Sequence, residues 1–249
     1  MKVKRKTFIR FVLLFWLFLI AAIWAGLKYI SYEVEDLIAV KQKIIVEPTK
    51  TDEKEENMEM GTEWEEYEEL PDYSYLHEQV PDAIAYLMIP NTEIAYPVMY
   101  AEDDFYLTHG TDGKENRNGA IHLSRSNQPD WSDTLNLVFG HNMNTGLMFA
   151  PLNQYLNQNY LEKHNLAYLI TPYGTQNYQL IYAEQIGQEE QYCIYDQNAY
   201  GSKEYESYMS EMSSRIGFDL DANSKLLLLC TCSRQQKDKR TIVYGVLTT

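Results

Sequence analysis

The sequence predicts a mostly β domain, a barrel with a few peripheral helices packed outside it, preceded by one N-terminal transmembrane helix. Three observations carry that expectation. From Tyr73 onward, short apolar or alternating runs outnumber helical ones. Most connections between these runs are short, and the βαβ alternation of a parallel sheet does not appear. Ahead of them stands Phe11 to Leu27, seventeen residues without a charge.

Residues 1–10 form a basic cytoplasmic tail, with Lys2, Lys4, Arg5, Lys6 and Arg10 and no acid. The apolar segment 11–30 approaches the ~20 residues that cross a bilayer as a helix. It is longer than the ~7–15 residues of a cleaved signal's hydrophobic region, and its Ala-Ala and Ala-Gly pairs lie inside the run rather than after it. It therefore reads as a transmembrane signal-anchor, which places residues 31–249 outside the cell. Residues 31–72 form an acidic extracellular stalk. Ser31 to Val46 has the composition to continue the helix, and from Glu47 to Asp72 acids outnumber bases so heavily that the chain repels itself and extends. Net charge is -15, and a nucleic-acid binder would carry the opposite sign, so no nucleic-acid partner is expected. Three cysteines exclude a disulfide scaffold. In an extracellular chain an odd cysteine implies a free thiol or an intermolecular bridge.

Residues 73–249 are globular in composition. Tyr75 to Val80 suits a short helix. Ala83 to Met88 leads into Ile89-Pro90-Asn91-Thr92 and then Glu93 to Tyr100, a pair of short strands joined tightly. Asp103 to Asn118 reads as loop, Gly119 to Leu123 as a strand, and Leu135 to Phe139 as another that ends at Gly140-His141-Asn142. Met148 to Tyr155 reads as a short helix with Phe149 and Leu152 on one face. Leu166 to Thr171 and Tyr178 to Gln185 are strands separated by Pro172-Tyr173-Gly174. Gln188 to Gly201 is a long connection, and Lys203 to Ile216 an amphipathic helix carrying Tyr205, Tyr208, Met209 and Met212.

The chemistry concentrates near the C-terminus. Leu226 to Leu229 run into Cys230-Thr231-Cys232, a buried strand by its short, fully apolar pattern. Thr241 to Leu247 is a second strand, rich in β-branched residues. The polar stretch Ser233 to Lys239 between them is a loop. Cys232 thus stands where a core strand emerges, and Arg240 where the chain re-enters. His141 stands in a comparable place, in a Gly-bearing turn just past a strand. His77, His109, His122 and His164 have no such setting and read as surface or structural. A thiol has a free pKa near ~8.5 and attacks as the thiolate. An imidazole supplies the activation, and a fixed donor such as an arginine fork meets the oxyanion that forms. Cys232, His141 and Arg240 make a complete acyl-transfer set. Arg234, close to Cys232 in sequence, competes for the arginine role.

Four segments, in order, also resemble one family: Ile89-Pro90-Asn91-Thr92…Tyr96-Pro97-Val98, the Phe139-Gly140-His141-Asn142-Met143 turn, Met148-Phe149…Leu152, and Leu-x-Thr-Cys232 followed by Arg240-x-x-Val243. Together they look like a sortase, class B above all, over Tyr73 to Val246. The resemblance implies a sortase-like eight-stranded β-barrel over residues 73–249. It also implies a membrane-anchored cysteine transpeptidase that cleaves a C-terminal sorting signal of surface proteins after Thr. The acyl group then passes to an amine of a peptidoglycan precursor or lipid-linked acceptor. By the same resemblance Cys232 is the nucleophile, His141 the acid/base partner and Arg240 the oxyanion or substrate clamp. Two positions depart from the family pattern: Phe139 stands where Tyr is frequent, and Cys230 where a small residue is usual. Cys230 shares a face with Cys232 and takes a packing role, a redox-guard role through a Cys230–Cys232 bridge, or a substrate contact.

Two other readings use the same residues: a metal-binding protein with Cys230, Cys232 and His141 as ligands, or a thiol-redox protein. The first lacks a fourth ligand and the second lacks Cys-x-x-Cys in a βαβ setting. No cofactor or metal is called for, and no single substrate-binding residue is assigned. Specificity is expected from Gln188 to Ile216 and from the wall near Ile94 to Tyr106.

Overall fold

The computed structural model describes residue 10 and residues 13–30, 70–187, 202–221, 223–233 and 238–248. Most of the acidic stalk, the connection from Gln188 to Gly201 with Cys193, and Arg234 lie outside the described residues. The chain divides into two compact units, Met1–Val40 and Lys41–Thr249. The first holds helix α1, Leu13–Ile30, which is exposed and is long and apolar enough to cross a membrane.

The second unit carries α2 (Tyr73–Gln79), β1 (Ala85–Met88), β2 (Ala95–Val98), a 3₁₀ turn (Phe105–Leu107), β3 (His122–Leu123) and β4 (Leu135–Phe139). A longer 3₁₀ segment (Ala150–Leu156) and α3 (Gln158–Lys163) follow. After them come β5 (Leu166–Thr171), β6 (Gly174–Gly187), α4 (Ser202–Ile216), β7 (Leu226–Cys232) and β8 (Lys239–Leu247). The eight strands form one sheet in the order β2-β1-β5-β6-β8-β7-β4-β3. Met99, just past β2, closes the ends: its N–H donates to the Ile121 carbonyl at 2.9 Å, and its carbonyl accepts from Leu123 N–H at 2.9 Å. The result is a nearly closed barrel.

Local chemistry explains the joints. In the β1–β2 hairpin Asn91 takes φ 57°, a left-handed conformation that Asn tolerates. The Thr92 hydroxyl donates to the Ile89 carbonyl at 2.7 Å and accepts from Ile94 N–H at 3.1 Å. β3 is shorter than the Gly119–Leu123 strand expected from sequence. Gly119 has φ 58° and lies so close to the Tyr106 and Leu107 carbonyls that a side chain would collide with them. Ala120 N–H is committed to the Tyr106 carbonyl at 2.9 Å and cannot join a ladder. The edge of β4 that β3 leaves uncovered is served by Asn127, whose amide accepts from Leu137 N–H at 2.9 Å and donates to the Leu135 carbonyl at 2.7 Å.

The helix expected over Met148 to Tyr155 is instead 3₁₀ over Ala150–Leu156. Met148 sits at φ 56°, outside the helical region, and the buried Tyr96 hydroxyl accepts its N–H at 3.0 Å. α3 escaped the sequence reading; it starts at Asn157, whose side chain caps Asn159 N–H at 2.9 Å. β6 extends beyond the expected Tyr178–Gln185 at both ends, with an irregularity between Leu180 and Tyr182. On one sheet face, Met212 of α4 and Leu220 bury against Leu226, Leu228, Cys230 and Ile242. Leu76 of α2 covers Tyr86, Met88 and Ile170 at another place.

All but one of the strand pairs are antiparallel. The exception is β4 with β7, which run parallel from Leu135↔Leu226 through Phe139↔Cys230. Parallel neighbours finish at the same end of a sheet. That single pairing decides where the His141 turn and Cys232 meet.

Candidate active site

Cys232 is the last residue of β7 and is exposed, whereas Cys230 is 1% exposed. Arg240 lies directly across from it in the antiparallel β7–β8 ladder, Cys232↔Arg240. On the other flank, the parallel register Phe139↔Cys230, continued by two residues, brings His141 alongside Cys232. Hydrogen bonds hold that continuation. Gly140 N–H donates to the Cys230 carbonyl at 3.1 Å, the Thr231 hydroxyl donates to the Gly140 carbonyl at 2.8 Å, and the Asn142 side-chain amide donates to the Cys232 carbonyl at 2.7 Å. Behind the turn, Phe149 N–H donates to the His141 carbonyl at 3.0 Å. The sheet end therefore presents Arg240 on β8, Cys232 at the end of β7 and His141 in the turn after β4, in that order, and all three line one cleft of about 380 Å³.

A second row lies one two-residue step back on the same face: Ile242, Cys230, Phe139 and His122, paired across β8, β7, β4 and β3. Cys230 packs into the apolar cluster under α4 and also touches the cleft floor. No disulfide joins Cys230 to Cys232. His122 stacks on the Phe139 ring with centroids 5.6 Å apart and lines the same cleft. Burial pushes its ring below the ordinary histidine value, against the smaller opposing pull of the Ala120 carbonyl and the Asp104 carboxylate.

The Arg240 guanidinium belongs to a residue that lines the cleft. Its Nη1 donates to the Lys239 carbonyl at 3.3 Å, which occupies one of five N–H groups. The β7–β8 connection is braced at its base, where Ser233 N–H donates to the Lys239 carbonyl at 2.9 Å and Gln185 donates to the Ser233 hydroxyl at 2.9 Å. An accessible thiol between an imidazole and a guanidinium is equipped for acyl transfer.

The structure thus brings together all three expected site residues. Of the expected specificity wall near Ile94 to Tyr106, Asp103, Asp104 and Tyr106 line the cleft. Sequence reasoning did not identify Asn142 and Thr231 as braces, because their partners lie 90 and 91 residues away. It also classed His122 with the structural histidines. The other three so classed do lie elsewhere: His77 stacks on Tyr73, His109 on Phe105, and His164 ends α3 beside Tyr160. Among the described residues, no group of three or more His, Cys, Asp or Glu side chains is disposed to hold a metal ion.

Comparison with known proteins agrees with this geometry. The sortase domain family matches residues 87–248. Sortase B of Listeria monocytogenes is 27% identical over 191 residues, 73% of this chain and 75% of that protein. Sortase B of Staphylococcus aureus is 22% identical over 180 residues, 70% of this chain and 73% of that protein. The crystal structure of sortase B from Clostridium perfringens superposes with a TM-score of 0.64 at 24% identity, covering 71% of this chain and 99% of that one. A barrel of this topology, a thiol at the end of its β7 strand and a family match across nearly the whole barrel lead to one conclusion: the chain belongs to the sortase family, the cysteine transpeptidases of surface-protein anchoring.

Proposed function

We propose that this chain is a membrane-anchored, class B-like transpeptidase in which Cys232 is the nucleophile, His141 the acid/base and Arg240 the oxyanion donor. The observation that carries the assignment is the side-by-side order Arg240, Cys232, His141 at one sheet end. The Cys232 sulfur attacks the carbonyl carbon of the Thr in a sorting signal. Arg240 donates to the oxyanion as negative charge develops. When the C–N bond breaks, the His141 imidazolium gives its proton to the departing amine, leaving a thioester on Cys232. An acceptor amine then attacks the thioester, His141 takes its proton, an amide forms and the thiolate returns.

The substrate is a surface protein with a C-terminal sorting signal, and the acceptor an amine of a peptidoglycan precursor or lipid-linked intermediate. Solved relatives include a Staphylococcus aureus sortase B–substrate complex and a sortase B complexed with triglycine, the two ligand classes that the proposed reaction requires. Helix α1 anchors the chain in the membrane with residues 1–10 cytoplasmic. Residues 31–72 act as a spacer, and residues 73–249 form the extracellular catalytic domain. The thiol-redox and metal readings gain no support from two unbridged cysteines and a family match to transpeptidases.

The test uses full-length protein in detergent micelles, a panel of fluorescent Pro-x-Thr peptides, and triglycine. Wild type is expected to cut after Thr, to carry an acyl adduct by intact mass, and to yield the triglycine conjugate. Cys232→Ala abolishes all three and Cys230→Ala retains them. Arg240→Lys keeps the charge but loses the fork, and kcat falls by about 10²–10³, the usual loss of an oxyanion donor. An inactive Cys230→Ala with an active Cys232→Ala would overturn the nucleophile assignment.

A further inference from the structure

The cleft contains a second imidazole, His122, that the reaction above leaves unused. Its Nδ1 lies 2.9 Å from the Ala120 carbonyl. A carbonyl only accepts, so Nδ1 carries the proton and, in the neutral ring, Nε2 presents a bare lone pair. Stacking on Phe139 fixes the ring plane, and burial favours the neutral form. His122 is therefore a preset hydrogen-bond acceptor in the same cleft as Cys232, His141 and Arg240.

Its position decides what it meets. Arg240 flanks Cys232 on the β8 side and His141 on the β4 side. The group that departs, and the amine that replaces it, exchange protons with His141 and so pass on the β4 side. His122 lies farther along that same side, on β3. Strands are about 4.8 Å apart and a two-residue step is about 6.8 Å, so the His122 and Cys232 Cα atoms are about 12 Å apart. That is too far for the ring to touch the attacking nitrogen, but within reach of the next unit or two of the acceptor's chain. The wall beside it carries Asp103 and Asp104, the latter paired with Arg125 at 3.3 Å.

We propose that His122 is a positioning residue for the acceptor, taking through Nε2 a hydrogen bond from an N–H of the acceptor's chain behind its reacting amine. The inference rests on the acyl-transfer reading above. It predicts discrimination between long and short amines. Triglycine spans the distance to His122, and hydroxylamine does not.

The experiment is a competition, with triglycine and hydroxylamine offered together to full-length protein in micelles carrying an acyl group from a cleaved Pro-x-Thr peptide. The ratio of the two products depends neither on how well the peptide binds nor on how much protein is folded. His122→Phe keeps the stacking contact and removes the acceptor; His122→Gln returns an amide oxygen near the Nε2 position. The ratio of triglycine to hydroxylamine product is expected to fall roughly three- to tenfold in His122→Phe, the range for one lost hydrogen bond, and to recover in His122→Gln. An unchanged ratio in His122→Phe overturns the inference, as does an equal fall in both variants. If wild type yields neither product with any peptide, the acyl-transfer reading itself fails and this one with it.

Discussion

Arg240 and His141 reach Cys232 by different routes, one through a direct cross-strand pair and the other through a turn pinned by Thr231 and Asn142. All three were legible from sequence because each stands where an apolar run gives way to polar residues, within a short motif. His122 was not. Alternation says which face of a strand a residue takes, but not what the neighbouring strand puts beside it. Only the β3–β4 register, His122↔Phe139, brings that ring into the cleft. A stability consequence follows from its burial. The folded ring titrates below the usual 6.5, so near and below that pH the unfolded chain binds a proton that the folded one resists. The contribution of neutral His122 is present above about pH 6.5 and is lost as pH falls through the folded value. The Ala120 carbonyl and the Asp104 carboxylate oppose the shift, and Arg125 and His141 share the cleft. Thermal melts of wild type and His122→Phe between about pH 7.5 and about pH 5 are expected to show the wild type losing ground relative to the variant on acidification. A constant difference in Tm would contradict it.

At the scale of elements, the strands were read well from their apolar patterns, and the errors fall where a backbone group is spent locally. Gly119 presses on the 3₁₀ turn and Ala120 gives its N–H to Tyr106, so β3 shrinks. Met148 turns left-handed and postpones the following helix, which becomes 3₁₀. Neither choice leaves a mark in hydrophobic periodicity. The His141 turn is the element on which the site depends most. A methyl group at Gly140 would overlap the side chains of Ile121 and Phe149, and Phe149 is fully buried and cannot swing into solvent. Gly140→Ala is therefore expected to cost about 1–3 kcal/mol by overpacking. It should also slow acyl-enzyme formation, because relief of the clash moves the turn that carries His141. Urea midpoints and single-turnover rates measure the two effects separately. A variant with wild-type stability and rate would show that the turn has more room than its packing indicates.

For the whole molecule, the apolar segment 11–30 was legible from composition, and helix Leu13–Ile30 lies within it. Expressed in bacterial membranes, the full chain is expected to stay in the pellet through alkaline carbonate and to leave it in detergent. A variant lacking residues 1–30 should partition to the soluble fraction, and its retention in the pellet would argue against α1 as the anchor. What composition cannot reveal is which distant strands pair, because a parallel pair needs a long crossover and no local turn records it. β4 and β7 are such a pair, far apart in sequence, and β7 is inserted between β4 and β8. That insertion has a temporal consequence. Contacts between strands so remote in sequence close long loops and form slowly. A chain that runs through β7 but stops short of β8 contains His141, Cys232 and seven of the eight strands, yet lacks Arg240. Under the assignment proposed above, reactivity is acquired only once β8 has closed beside β7.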